Sequence, residues 1–301
     1  MVDRLLEVLA HLPTAQVTEA LRFGLIRLGI GLVGMLPGGV VRRLGTLGGR
    51  IWGRFATDRR RVARRHMQRV LGPSADLDRA VGAMFGSYGR YWAETFWVRP
   101  RRVAEIDRGL SISGLEHLEK AGKAGTGAIL VLPHLGNWEP AALSGRRAGI
   151  EIAAVAERLP NQRLTEWFVS MRSQYGITII PHGRTSMRHV EAAIRRGAAV
   201  ALLCDRDLSG RGVKVTFFGE ETTLPAGPAA LALKTGAPIV TAATFFDGDG
   251  HRVDIDELPL DGVDDMRDLT QRIATALEGI IRQAPEQWHL FQPNWPSDRQ
   301  S

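Results

Sequence analysis

His134 and Glu139 are the residues whose types and spacing most directly suggest chemistry. They stand in Leu-Val-Leu-Pro-His-Leu-Gly-Asn-Trp-Glu, residues 130–139. The apolar run Ala128 to Leu132 predicts a buried strand, and Pro133 ends it. The imidazole therefore falls at a strand C-terminus, the rim where open α/β sheets carry their ligand sites. A carboxylate five residues on is near enough to orient it. Such a pair is a general base suited to drawing the proton from an alcohol. A surface or cap histidine beside an unrelated glutamate has the same spacing, because the pattern is short.

A second apolar run ends in Leu202-Leu203-Cys204-Asp205-Arg206-Asp207. Strand ends of a parallel sheet share one rim, so Asp205 or Asp207 can stand near His134. A carboxylate there accepts hydrogen bonds from neighbouring sugar or polyol hydroxyls. The alternative is a structural Asp-Arg-Asp ion network. Phe217-Phe218-Gly219 and Thr223-Leu224-Pro225-Ala226-Gly227-Pro228 follow. The Gly-Pro step is a helix start, and its free amides are able to hold a phosphate or polarise a carbonyl. Arg158, Arg163 and Arg172 lie in or just before the helix expected at 161–174. Arg172 could reach a phosphate. The aromatic run Gln287 to Trp295 either walls a pocket or fills the core, and His289 within it reads as structural.

Several chemistries find no support. There is no Gly-x-Ser-x-Gly, Walker A or His-Glu-x-x-His pattern. The Gly-x-Gly-x-x-Gly match at Gly29 to Gly34 falls in a helical stretch rather than after a strand, so it reads as chance. One cysteine, Cys204, excludes an internal disulfide and reads as a small buried hydrophobe in a reducing compartment.

The elements that must position these groups divide in two. Residues 1–98 read as helical, with Leu5, Leu9 and Leu12, then Leu21, Leu25 and Leu28, at helical spacing. Arginines 42, 43, 50, 54, 59–61, 64 and 65 follow, with Ile51, Trp52 and Phe55 among them. An apolar and arginine-rich face suits an anionic membrane surface, and equally a solvated face of ordinary amphipathic helices. Aromatic platforms for single-stranded nucleic acid are lacking, so no nucleic-acid partner is expected. The net charge of +7 favours an anionic partner without choosing one. The uncharged stretch 28–41 is shorter than the roughly 18–20 residues of a membrane span, and Asp3, Arg4 and Glu7 argue against a secretory signal.

From residue 110 to 295 the pattern is α/β. Strands are expected at 128–132, 151–155, 177–181, 198–204, 213–218 and 238–245. Helices are expected at 137–147, 161–174, 186–196, 226–235 and 264–283. The alternation predicts one domain, a central mostly parallel sheet flanked by helices, with a helical N-terminal part.

Pro-His134-x-Gly136-Asn137-Trp138-Glu139, Asp205-Arg206-Asp207, Phe217-Phe218-Gly219 and Pro225-Ala226-Gly227-Pro228-Ala229 occur in that order in a known family. Over roughly residues 45 to 295 the chain resembles the bacterial lipid A biosynthesis acyltransferases, of the wider His-x4-Asp/Glu lysophospholipid acyltransferase group. Within it, Ala156-Glu157-Arg158-Leu159, the ending at Trp295 and the preference for arginine over lysine are most similar to the actinobacterial phosphatidylinositol mannoside acyltransferases. The resemblance implies a glycerolipid acyltransferase-like fold and transfer of a fatty acyl group from acyl-CoA to a mannose hydroxyl of a mannosylated phosphatidylinositol. It implies a peripheral protein at the cytoplasmic face of the plasma membrane, with acyl-CoA as co-substrate and neither cofactor nor metal. His134 would be the base, Glu139 its orienting partner on the other imidazole nitrogen, and Asp205 the sugar-binding carboxylate of the catalytic set. Asn137, Trp138, Arg172, Arg206 and Asp207 would meet substrate, Arg172 at the CoA phosphates or pantetheine.

Overall fold

The computed structural model describes residue 24 and residues 28–299, except 157–160, 184, 209 and 264. The expected helices before residue 24, and Arg158, lie outside the described residues.

After a helical stretch at 28–33 come three helices: α1 (Gly38–Phe55), α2 (Thr57–Leu71) and α3 (Leu77–Trp97). Glycines let α1 lie directly on α3. A Cβ at Gly49 would run into the carbonyl of Phe85, and one at Gly89 into that of Gly45. Asp76 caps α3 by accepting from Arg79 N. The glycine pattern at 29–34 lies in helix and turn, not in a strand-to-helix loop.

After α4 (Pro100–Arg108) the chain alternates β1 (Leu110–Ser113), α5 (Leu115–Ala124), β2 (Ala128–Leu132), α6 (Trp138–Ala141), α7 (Leu143–Ala148), β3 (Ile152–Ala156), α8 (Gln162–Ser173), β4 (Ile177–Pro181), α9 (Ser186–Arg195) and β5 (Ala199–Leu203). Then come β6 (Val213–Phe217), β7 (Glu220–Leu224), α10 (Gly227–Thr235), β8 (Ile239–Asp247), β9 (Gly250–Glu257) and α11 (Met266–Gln283). The seven-stranded sheet runs β1-β9-β8-β2-β5-β3-β4, and only the β8–β9 pair is antiparallel. The expected α/β class and mostly parallel sheet are therefore present.

Side-chain alternation on β2 divides the core. Ile129 and Val131 face the layer that includes α9, α10 and α11, while Leu130 and Leu132 face the layer of α5, α7 and α8. The strand expected at 213–218 does not join the sheet. It pairs with β7 in a separate hairpin, turned by Phe218 and Gly219 at φ +50° and +78°. Two successive positive φ values are what a two-residue hairpin turn requires. The helix expected at 137–147 is broken at Ala142 into α6 and α7.

Candidate active site

Register brings the two strand-end motifs together. β2 and β5 are paired in parallel with Leu132 opposite Leu203, so His134 and Asp205 leave the sheet side by side. His134 Nδ1 is 2.6 Å from Asp205 Oδ1, and the His134 backbone N–H donates to Oδ2 at 3.0 Å. Trp288 Nε1 donates to the same Oδ2 at 2.7 Å.

Asp205 is fully buried. Burial alone would raise its pKa, but His134, the backbone amide and Trp288 outweigh it and hold the carboxyl below its ordinary range. The carboxylate is therefore an acceptor, so Nδ1 carries a proton towards it, and in the neutral imidazole Nε2 holds the lone pair. The His134 side chain retains 34% of its exposure, which leaves Nε2 open to a substrate.

The C-terminal segment fastens this loop. Leu135 bridges Trp288, Gly136 N donates to Gln287 O, and His289 N donates to His134 O at 2.7 Å. Gly136 has φ +57°, and a Cβ there would collide with the Thr244 carbonyl. Asn294 Nδ2 donates to the backbone carbonyl of Asp205. His289 is structural, as the sequence suggests: its Nε2 meets Ser87 Oγ, and burial, with His134 nearby, pushes its pKa down to about 3.

Glu139 is not the imidazole's partner. It lies in the first turn of α6, which turns its side chain inward to 2% exposure. There it accepts from Tyr91 Oη at 3.3 Å and pairs with Arg172 at 3.4 Å. Burial raises its pKa, and Arg172 only partly offsets this. Asp205 thus takes the position expected for Glu139. With both oxygens engaged and no exposed surface, Asp205 is also not free to grip a sugar.

The other expected contact residues divide similarly. Asn137 caps α6 by accepting from Glu139 N and donates Nδ2 to Glu94, so its buried amide is spent on the fold. Arg172 lies over Trp138 and Phe168 beside Glu139, which makes it a core ion-pair partner rather than a free phosphate clamp. Asp207 Oδ2 accepts from Gly212 N and Thr223 Oγ1, tying the strand-end loop to the β6–β7 hairpin. Trp138 and Arg206 remain half-buried at the site. The Gly227-Pro228 step begins α10, as expected.

Glu94, His251, Tyr91 and Trp288 were not legible as site residues. Glu94 takes Asn137, His251 Nε2 at 2.8 Å and Arg90 at 2.9 Å. Burial works against its charge, but His251 and Arg90 prevail and hold its pKa at about 2. Apart from the i,i+4 pair of Arg90 with Glu94, these contacts span long sequence separations, and no local motif announces them. The aromatic run around Trp288 was the available signal. It serves to fix Asp205 and to fill the core.

Beside the His134 loop, an apolar cavity of about 30 Å³ lies under the sheet. Leu132, Trp138, Ala142, Ala201, Ala242 and Ile255 are among its walls. Residues of five neighbouring strands line it.

The sequence profile of the bacterial lipid A biosynthesis acyltransferases matches residues 15–297. The chain is 36% identical over 244 residues to the phosphatidylinositol mannoside acyltransferase of Mycobacterium tuberculosis, covering 78% of this chain and 77% of that one. It is 35% identical over 240 residues to the protein of that name in Mycolicibacterium smegmatis, covering 78% and 79%. It is 26% identical over 281 residues to the lipid A biosynthesis palmitoleoyltransferase of Escherichia coli, covering 89% of each. With its buried Asp205 holding His134 at the sheet rim, this chain belongs to the bacterial lipid A biosynthesis acyltransferase family.

Proposed function

We propose that this protein transfers a fatty acyl group from acyl-CoA to a mannose hydroxyl of a phosphatidylinositol mannoside, working on the cytoplasmic face of an anionic membrane. The observation that carries the reading is the His134–Asp205 pair, with Nδ1 fixed at 2.6 Å and Nε2 open. Nε2 takes the proton of the attacking hydroxyl as its oxygen bonds to the thioester carbonyl. Asp205 stabilises the imidazolium so formed. The tetrahedral intermediate collapses by breaking the C–S bond, and His134 returns the proton to the leaving thiolate. The ester and free CoA thiol are the products.

Asp205 replaces Glu139 in the orienting role, while Glu139 and Arg172 support the loop from beneath. Arg206 and Trp138 are the residues we assign to the acceptor and the acyl chain. The mainly apolar lining suits an acyl substrate, and at about 30 Å³ the cavity must widen to admit the chain. The mannoside acceptor rests on the mycobacterial relatives, which carry that name at the highest identities given above. Among the described residues no helix is long and apolar enough to cross a membrane, which agrees with peripheral attachment.

The test is acyl transfer from palmitoyl-CoA to mono- and dimannosylated phosphatidylinositol, with lysophospholipid and lipid A precursors offered beside them. Acylated mannoside with wild type and none with His134→Ala is the expected result. Product only on another acceptor would keep the mechanism and overturn the mannoside assignment. Free palmitate alone would make the protein a thioesterase.

A further inference from the structure

Ion pairing sorts the arginines of the helical N-terminal part into two sets. Arg42 pairs with Asp249, Arg60 and Arg64 share Asp78, Arg61 meets Asp58, and Arg65 and Arg69 reach Asp298. Arg43, Arg50, Arg54, Arg59 and Arg79 have no carboxylate at ion-pair distance among the described residues, and Arg59 lies over the Trp52 ring. Three of these five converge. Arg50 and Arg54 of α1, Arg60 of α2 and Arg79 of α3 line one open groove of about 680 Å³, with Asp78 its single carboxylate. That carboxylate is already divided between two guanidinium groups. Uncompensated like charge is unfavourable for the folded chain, and an anion relieves it.

The surface beside the groove is apolar. Val40, Leu44, Leu47, Ile51 and Phe55 recur at helical spacing on α1 and are all exposed, Phe55 to 77%. On a helical wheel Arg43, Arg50 and Arg54 flank this stripe along one side. The opposite face of α1 is taken up by Gly45, Gly49 and Gly53 against α3. An apolar stripe bordered by guanidinium groups is the arrangement of a helix lying at a lipid interface, with its charges at headgroup depth. Guanidinium forks bind phosphate oxygens in pairs.

We propose that the α1–α2–α3 groove is a binding site for the phosphodiester headgroup of an anionic glycerophospholipid, which seats the protein on the bilayer with the α1 stripe inserted. It deepens the membrane-surface part of the function proposed above and does not depend on acyl transfer. Arg79 lies roughly 18 Å along the α3 axis from Tyr91, so the groove stands apart from the reacting atoms. The bound lipid is an anchor, distinct from the acceptor under acylation.

Co-sedimentation of the full chain with phosphatidylcholine vesicles, with and without phosphatidylinositol, tests this at physiological salt. Two variants with the same charge change are compared. One is Arg50→Gln/Arg54→Gln/Arg79→Gln. The other is Arg188→Gln/Arg196→Gln/Arg267→Gln, at exposed positions on other elements. Wild type should bind only the anionic vesicles. At about 1 kcal/mol per arginine near the surface, the groove variant should lose about 100-fold in partitioning. The control should lose less than about threefold, with both melting as wild type does. Equal losses in the two variants would reduce the effect to net charge and overturn the headgroup site while leaving membrane attachment intact. No binding by wild type would overturn both. Displacement of wild type from vesicles by millimolar inorganic phosphate would show a free-anion site instead, and would also overturn the proposal.

Discussion

Asp205 holds His134 twice, through the imidazole Nδ1 at 2.6 Å and through the backbone amide at 3.0 Å. One buried carboxylate therefore sets both the tautomer and the position of the loop. Asp205→Asn keeps the shape but removes the charge that stabilises the imidazolium. Its amide also invites the wrong tautomer. We expect kcat to fall about 10²- to 10⁴-fold, the range for a general base and its orienting partner, with KM for acyl-CoA changed less than about threefold. Steady-state kinetics with a melting curve would check this. An active Asp205→Asn enzyme would remove Asp205 from the mechanism.

Glu139 and Arg172 form a different kind of pair. Arg172→Ala would strand a buried carboxylate that already carries one unpartnered oxygen, Oε2. Removing one member of a buried pair costs about 3–5 kcal/mol, whereas replacing both can be nearly neutral. Urea unfolding should therefore show a large loss for Arg172→Ala and substantial recovery in Glu139→Gln/Arg172→Met. If Arg172 served the CoA phosphates instead, Arg172→Ala would raise KM for acyl-CoA and leave stability near wild type.

The sheet was legible because its strands are short apolar runs ending in proline or polar residues. The meeting of His134 and Asp205 was legible in outline, since both follow such strands onto one rim. What failed was the choice of carboxylate. Sequence proximity favours Glu139, but Asn137 caps α6 and swings Glu139 into the core, while register delivers Asp205 from the end of a strand, 71 residues beyond His134. β9 lies outside the expected strands, although Val253 and Ile255 alternate with Arg252, Asp254 and Asp256 after an Asp-Gly-Asp-Gly turn, a readable hairpin signal. β1 is only four residues long, and Glu94 and His251 belong to partners far apart in the chain, so neither leaves a local pattern.

Acid should unfold this protein through its depressed carboxylates. Glu94, at about 2, and Asp205, held below the ordinary range, both bind protons more weakly when folded. Each contributes stability that is present above the ordinary carboxylate pKa of about 4 and is lost as pH falls through the folded value. Glu139 is raised, so its contribution has the opposite sign: it is present at low pH and lost as pH rises through its folded value. The depressed groups are the stronger influence below pH 4. Glu94 alone is worth on the order of 3 kcal/mol at neutral pH. The melting temperature should fall steeply from about pH 4 towards pH 2, and Glu94→Gln should flatten that limb while lowering stability at pH 7. An unchanged acid limb in Glu94→Gln would contradict the assignment.

Acyl-chain length should be set under the sheet. Ala242 of β8 lines the cavity beside Leu132 and Trp138, and its small side chain takes up little of that wall. Ala242→Leu adds three carbons there. If the acyl chain threads this cavity, it must shorten or the wall must give, and overpacking a fitted site costs about 1–3 kcal/mol. The variant should lose palmitoyl transfer about 10-fold or more while retaining transfer of a chain shorter by roughly three or four methylenes. Competition between palmitoyl-CoA and lauroyl-CoA, read as product ratio, cancels any general loss of folded enzyme. An unaltered ratio would mean that the chain runs elsewhere, whereas a shift towards lauroyl would make the side chain at 242 part of the floor that measures it.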